Sequence, residues 1–205
     1  MTEWFFRRRR LALAIWIASA ALLALSLPLA ARAELGKAGQ QAPPRPADGL
    51  PKLSLTDQNG KAVALSSLKG KPALVAFIHT SCEGPCELIT ARMKSVAHNL
   101  GPGFKSDVTM ISITTDPKED GSRQLLAYAK AQGVNTEGWV FLTGTPANIR
   151  RLLVLYGVSA EDDASDHVLE LFLLSADGAT LRRYNGIATH PETIASDIRK
   201  TASPH

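Results

Sequence analysis

The chain contains two cysteines among its 205 residues, both in the run Cys82-Glu83-Gly84-Pro85-Cys86. The apolar run Ala73-Leu74-Val75-Ala76-Phe77-Ile78 precedes them, and a stretch of helical spacing follows. A thiol pair at the junction of a buried strand and a helix N-terminus suits two kinds of chemistry. The helix dipole and the unpaired N–H groups favour thiolate, the form that attacks a disulfide and the form that binds a metal. C-x-x-C is the usual redox spacing. The extra residue here still permits a disulfide, and it also lets two sulfurs converge on one ion from the same side. Thiolates select soft ions such as copper(I) or zinc, and a single imidazole would complete a three-coordinate site suited to copper in either oxidation state.

Five histidines are available to supply that imidazole. His167, in Ala164-Ser165-Asp166-His167 at the mouth of an apolar run, is the leading candidate, with Asp166 beside it as a partner that orients a ligand or solvates the loop. His79 stands three residues before Cys82, where it either faces the thiols or packs at the strand end. His98, His190 and His205 have no local support and read as surface residues. A structural disulfide is the competing role for the cysteines of an exported chain. The small ring that it would close contributes little loop entropy, and the strand–helix junction is an unusual place for one.

The elements that must position these groups are legible as periodicities. Lys52 to Leu55 and Lys61 to Leu65 flank the turn residues Asp57-Gln58-Asn59-Gly60 and predict a β-hairpin. Ser66 to Pro72 is a loop or a single helical turn, and Ala73–Ile78, apolar on both faces, is a central strand. Beyond Cys86, Ile89, Met93, Val96 and Leu100 mark an amphipathic helix that Gly101-Pro102-Gly103 ends. The helix either includes both cysteines on one face or begins near Pro85 and leaves Cys82 in the loop, as proline at the first turn favours. Further strands are expected at Val108–Ile113 and Trp139–Leu142, and helices at Gly121–Ala131 and from Pro146 through Tyr156. A late hairpin, Leu169–Leu174 and Leu181–Tyr184 about Asp177-Gly178, precedes a final helix from Pro191. Strands alternating with helices predict a layered α/β fold, in the thioredoxin-like order with an N-terminal hairpin.

The N-terminus, with Arg7 to Arg10, an apolar stretch from Leu11 to Ala30 and then Ala31-Arg32-Ala33, has the pattern of an export signal cleaved before Glu34. The stretch is also long enough to serve as an uncleaved anchor. Either way the arginines stay on the cytoplasmic side, and the remainder is expected in the periplasm or tethered to the inner membrane's outer face. Residues 1–33 are thus a signal peptide or membrane anchor, residues 34–50 a flexible linker rich in glycine and proline, and residues 51–202 a single domain. The formal charge of +4 belongs to the leader, which holds five of the 23 basic residues and one of the 19 acidic ones. The remainder is neutral and gives no reason to expect nucleic-acid binding. Nothing in the chain demands more than a monomer.

Four blocks carry a family resemblance: Phe77 to Cys86, Ile111-Ser112-Ile113-Thr114-Thr115-Asp116-Pro117-Lys118-Glu119-Asp120, Trp139 to Gly144, and Asp166-His167 before a strand and an Asp-Gly turn. Together they resemble the SCO/SenC family, from about Pro51 to the C-terminal helix. The resemblance implies a thioredoxin-like three-layer sandwich that binds copper through Cys82, Cys86 and His167. It also implies a metallochaperone, which delivers copper to the dinuclear copper centre of cytochrome c oxidase. The partner would then be the copper-bearing oxidase subunit or another copper or thiol client. Some relatives are proposed instead to be thiol-disulfide oxidoreductases, for which Cys82 and Cys86 would be the redox-active pair. Asp116 resembles a family position near the site, or caps the turn that follows it. Glu83 and Glu87 stand where the family usually has proline, and His79 where an aromatic residue is common, so two carboxylates and an imidazole crowd the thiols.

Overall fold

The computed structural model describes residues 50–82, 84–134, 137–158 and 169–202. The expected leader at 1–33, nearly all of the linker, Glu83, Asp166, His167 and His205 lie outside the described residues.

The N-terminal hairpin pairs β1 (Ser54–Asp57) with β2 (Ala62–Ala64), Ser54 opposite Ala64. Asp57 shapes its turn, its Oδ1 accepting from the N–H groups of Asn59 and Lys61 at 2.8 Å each. Where Ser66 to Pro72 reads as a loop or a single helical turn, a 3-10 helix forms one residue earlier, at Leu65–Leu68. There follow β3 (Ala73–Ile78), α1 (Pro85–Leu100), the short α2 (Phe104–Asp107), β4 (Thr109–Thr114), α3 (Ser122–Ala131), β5 (Trp139–Thr143) and α4 (Pro146–Leu155). The chain then forms β6 (Glu170–Leu174), β7 (Thr180–Asn185) and α5 (Pro191–Ala202). Among the described residues these strands make one seven-stranded sheet in the order β2-β1-β5-β4-β3-β6-β7. The three central strands run parallel, and the two hairpins flank them antiparallel.

Strand β3 lies inside this sheet, and each of its six residues is buried. Its alternation divides the core in two. Leu74, Ala76 and Ile78 face a cluster that holds Ile89, Met93 and Val96 of α1, Leu125 and Tyr128 of α3, and Ile194 and Ile198 of α5. Ala73, Val75 and Phe77 face Ile149, Leu152 and Leu153 of α4 on the other side, with Leu55 and Leu65 of the N-terminal segment. The result is the expected three-layer sandwich, in which helices cover both faces as a parallel sheet requires. Because β3 pairs with β4 along its whole length, Ala73 opposite Thr109 and Ile78 opposite Thr114, the two strands end together. The segments that leave those ends, 79–82 and 115–121, are therefore neighbours. No helix among the described residues is long and apolar enough to cross a membrane.

Candidate metal centre

The cysteines sit where the end of β3 turns into α1. The helix begins at Pro85, so Cys82 stays in the loop and Cys86 lies in the first turn. Gly84 precedes the helix at φ 91°, a conformation that suits glycine. No side-chain oxygen caps α1. The sulfur of Cys82 takes that place instead, accepting the N–H of Cys86 at 3.4 Å.

Both cysteines are buried, each about 5% exposed, and neither is in a disulfide. One ring nitrogen of His79 and the two sulfurs lie within 4.8 Å of one another, the arrangement of a metal-ligand set. The backbone N–H of Cys82 folds back onto the carbonyl of His79 at 3.3 Å, and Nδ1 of His79 lies 3.3 Å from the hydroxyl of Ser81. Of the two placements open to His79, the structure thus adopts the one that faces the thiols. His98 and His190 are exposed, as expected.

The acidity expected from the helix dipole is reversed at Cys86. Burial pushes its thiol up from 9.0 to about 12, and the neighbouring Cys82 sulfur and the Asp120 carboxylate add to the rise, while a hydrogen bond with the backbone of His79 opposes it. Desolvation of the thiolate outweighs the dipole here because the sulfur faces the core.

Asp120, 1% exposed, supports the site, whereas the sequence singles out its neighbour Asp116. Its Oδ2 accepts from the backbone N–H of Thr80 at 3.0 Å and from the hydroxyl of Thr114 at 2.6 Å, and its Oδ1 accepts from the hydroxyl of Thr80. Asp116 merely accepts from the N–H of Lys118 at 3.3 Å, the turn-capping role. Tyr128 was also missed. Its hydroxyl donates to the carbonyl of Cys86 at 2.9 Å and lies 2.8 Å from the hydroxyl of Thr90, which fixes the first turn of α1 to α3. A recurring Asp in the block that runs from Ile111 to Asp120 was the available signal for the first; the helical stripe Leu125-Tyr128 was the signal for the second.

An open cleft of about 470 Å³ lies beside the thiols, lined by Thr80, Ser81, Cys82, Glu87, Tyr128 and Gln132 among others. Of the two cysteines, Cys82 is the one that borders it. Glu87 is exposed at its rim and accepts from Nε2 of Gln132 at 3.3 Å, so its carboxylate points along the surface toward α3.

A profile of the family described as SCO1/SenC matches residues 41–203. The SCO1 protein homolog of Bacillus subtilis (strain 168) is 32% identical over 158 residues, which are 74% of this chain and 81% of that protein. Among solved structures, Bradyrhizobium japonicum ScoI with copper bound superposes with a TM-score of 0.63 at 31% identity, covering 76% of this chain and 99% of that one. BsSco, a member of the Sco family of cytochrome c oxidase assembly proteins in which a disulfide switch is identified, superposes with a TM-score of 0.67 at 28% identity, covering 81% of this chain and 100% of that one.

Proposed function

The chain belongs to the SCO1/SenC family, and from that premise we propose that it is an exported copper carrier that serves assembly of the dinuclear copper centre of cytochrome c oxidase. The observation that carries this reading is the buried pair of sulfurs with an imidazole in reach, a soft donor set that suits copper(I) as cargo. Copper-bound relatives of the same fold support it.

In this reading Cys82 and Cys86 bind the ion as thiolates and His167 closes the coordination shell. Burial keeps the Cys86 thiol protonated at neutral pH, so the incoming ion displaces its proton. Cys82, which borders the cleft, is the ligand best placed to exchange first with a receiving thiol or histidine. The N-terminal segment directs the domain across the inner membrane and is then either cleaved before Glu34 or kept as the tether. Anaerobic titration of the reduced full chain with copper(I) tests the proposal. One equivalent should bind, and binding should weaken sharply in Cys82→Ser and Cys86→Ser; a chain that takes up no copper removes the reading.

A second reading is favoured by the sulfur of Cys82, which borders the open cleft just before α1 with Cys86 one turn away. There the Cys82 thiolate attacks a client disulfide and forms a mixed disulfide, with one client sulfur leaving as a thiol. Cys86 then displaces the other client thiol, so that the client is reduced and the Cys82–Cys86 pair oxidised. Trapping of a client through Cys82 in a metal-free Cys86→Ser chain would favour it, because copper carriage alone gives no such adduct.

A further inference from the structure

Strand β3 ends at Ile78, and within the next eight residues the chain presents three metal donors to one point. The ring of His79 and the sulfurs of Cys82 and Cys86 approach within 4.8 Å of one another. Three features hold them there, two within the segment itself and one from the buried Asp120. The Cys82 N–H bonds back to the carbonyl of His79, the Cys86 N–H bonds to the sulfur of Cys82, and Asp120 pins Thr80 between them through its N–H and its hydroxyl. Both sulfurs are buried and the imidazole is partly so, which limits the access of water to a bound ion.

We infer that His79, Cys82 and Cys86 form a metal site complete within one segment, H-x-x-C-x-x-x-C, which takes a soft monovalent cation, copper(I), as two sulfurs and one nitrogen. The inference rests on the copper-carrier reading and deepens it. The two sulfurs are shared between two imidazoles: His79, built into the same turn, and His167, which the family resemblance supplies. The ion is held by the segment alone when His167 is absent or engaged elsewhere. Three-coordination by two thiolates and an imidazole is a stable arrangement for copper(I), so substitution of one imidazole by the other leaves the ion bound throughout.

The test uses the reduced full chain under anaerobic conditions, copper(I) buffered by a chromophoric chelator, and X-ray absorption at the copper edge. In His167→Ala, one equivalent should still bind, with two sulfur and one nitrogen scatterer. Addition of His79→Gln to that variant should remove the nitrogen and weaken binding at least about tenfold, which corresponds to ~1.4 kcal/mol. A His167→Ala chain that binds copper through two sulfurs alone overturns the inference, and this measurement does not depend on how the His79 variant folds. Equal affinity in His167→Ala with and without His79→Gln, both folded by circular dichroism, overturns it as well. In those two cases cysteine-dependent copper binding persists and the carrier reading stands. Binding that is absent from the unaltered chain, or unchanged in Cys82→Ser/Cys86→Ser, sinks both together.

Discussion

Asp120 accepts hydrogen bonds from both the backbone N–H and the hydroxyl of Thr80, forty residues away in the chain and adjacent to His79. A buried carboxylate that bonds to both donor groups of one residue sets the path of the backbone there. In this protein that path is the loop that presents the imidazole and the first sulfur.

Asp120→Asn keeps the size of the side chain but turns one acceptor into a donor, against donors on Thr80 and Thr114. The variant should lose about 1–3 kcal/mol of stability, measured by denaturant unfolding of the metal-free chain. Copper(I) affinity should fall about 10- to 100-fold, as for other residues that orient metal ligands. Asp116→Asn, altered at a surface turn, should change both by much less. Equal effects of the two substitutions would refute the supporting role given to Asp120.

Alkaline pH should destabilise the reduced, metal-free domain. Burial raises the Cys86 thiol from 9.0 to about 12 and the Tyr128 phenol from 10.0 to about 12, so both stay neutral in the folded state where the unfolded chain ionises them. Above pH 9 the unfolded state therefore holds fewer protons than the folded one, and stability falls as pH rises, by up to about 1.4 kcal/mol per pH unit for each group. Below pH 8 neither group contributes any slope. Thermal melts should be level for these groups from pH 7 to 8 and drop between pH 9 and 11, with a shallower drop in Cys86→Ser.

Copper should act as a stabilising ligand of the folded chain. An ion bound to the native state alone adds about 4 kcal/mol when its free concentration is a thousand times the dissociation constant. A melt of the reduced chain with buffered copper(I) should shift upward, and removal of the ion with a chelator should reverse the shift. Cys86→Ser should abolish it, and a shift that survives in that variant would place the ion elsewhere.

Gly186, just after β7, is a packing glycine. A Cβ there would come within 2.0 Å of Cδ1 of Ile89 and 3.1 Å of the carbonyl of Leu169. Ile89 lies one turn into α1, on the face that carries Cys86 toward the core. Gly186→Ala should cost about 1–3 kcal/mol by denaturant unfolding, since Ile89 must leave its rotamer or α1 must shift. If α1 yields, the thiols move with it, and copper affinity should fall in the same variant.

The elements were legible because each rests on local rules. The apolar run Ala73–Ile78 becomes the fully buried β3, and Pro85 opens α1 at the first turn, which leaves Cys82 in the loop. Asp57 and Gly60 turn the hairpin, and Pro146 and Pro191 open α4 and α5. Which imidazole meets the thiols in this segment was open. His79 could pack or coordinate, and a single residue at a strand end has no period to decide between these.

The sequence by itself determined that two thiols would stand at a strand–helix junction, because strand period, turn chemistry and helix start signals act over a few residues. Tertiary structure alone decided that Asp120 and not Asp116 reaches the loop, since that contact depends on β3 and β4 pairing in parallel with Ile78 beside Thr114. It also decided the sign of the acidity change at Cys86. The helix dipole is a local feature that a motif reveals, but the desolvation that overcomes it comes from every group packed around the sulfur, and those groups are brought there by the whole fold.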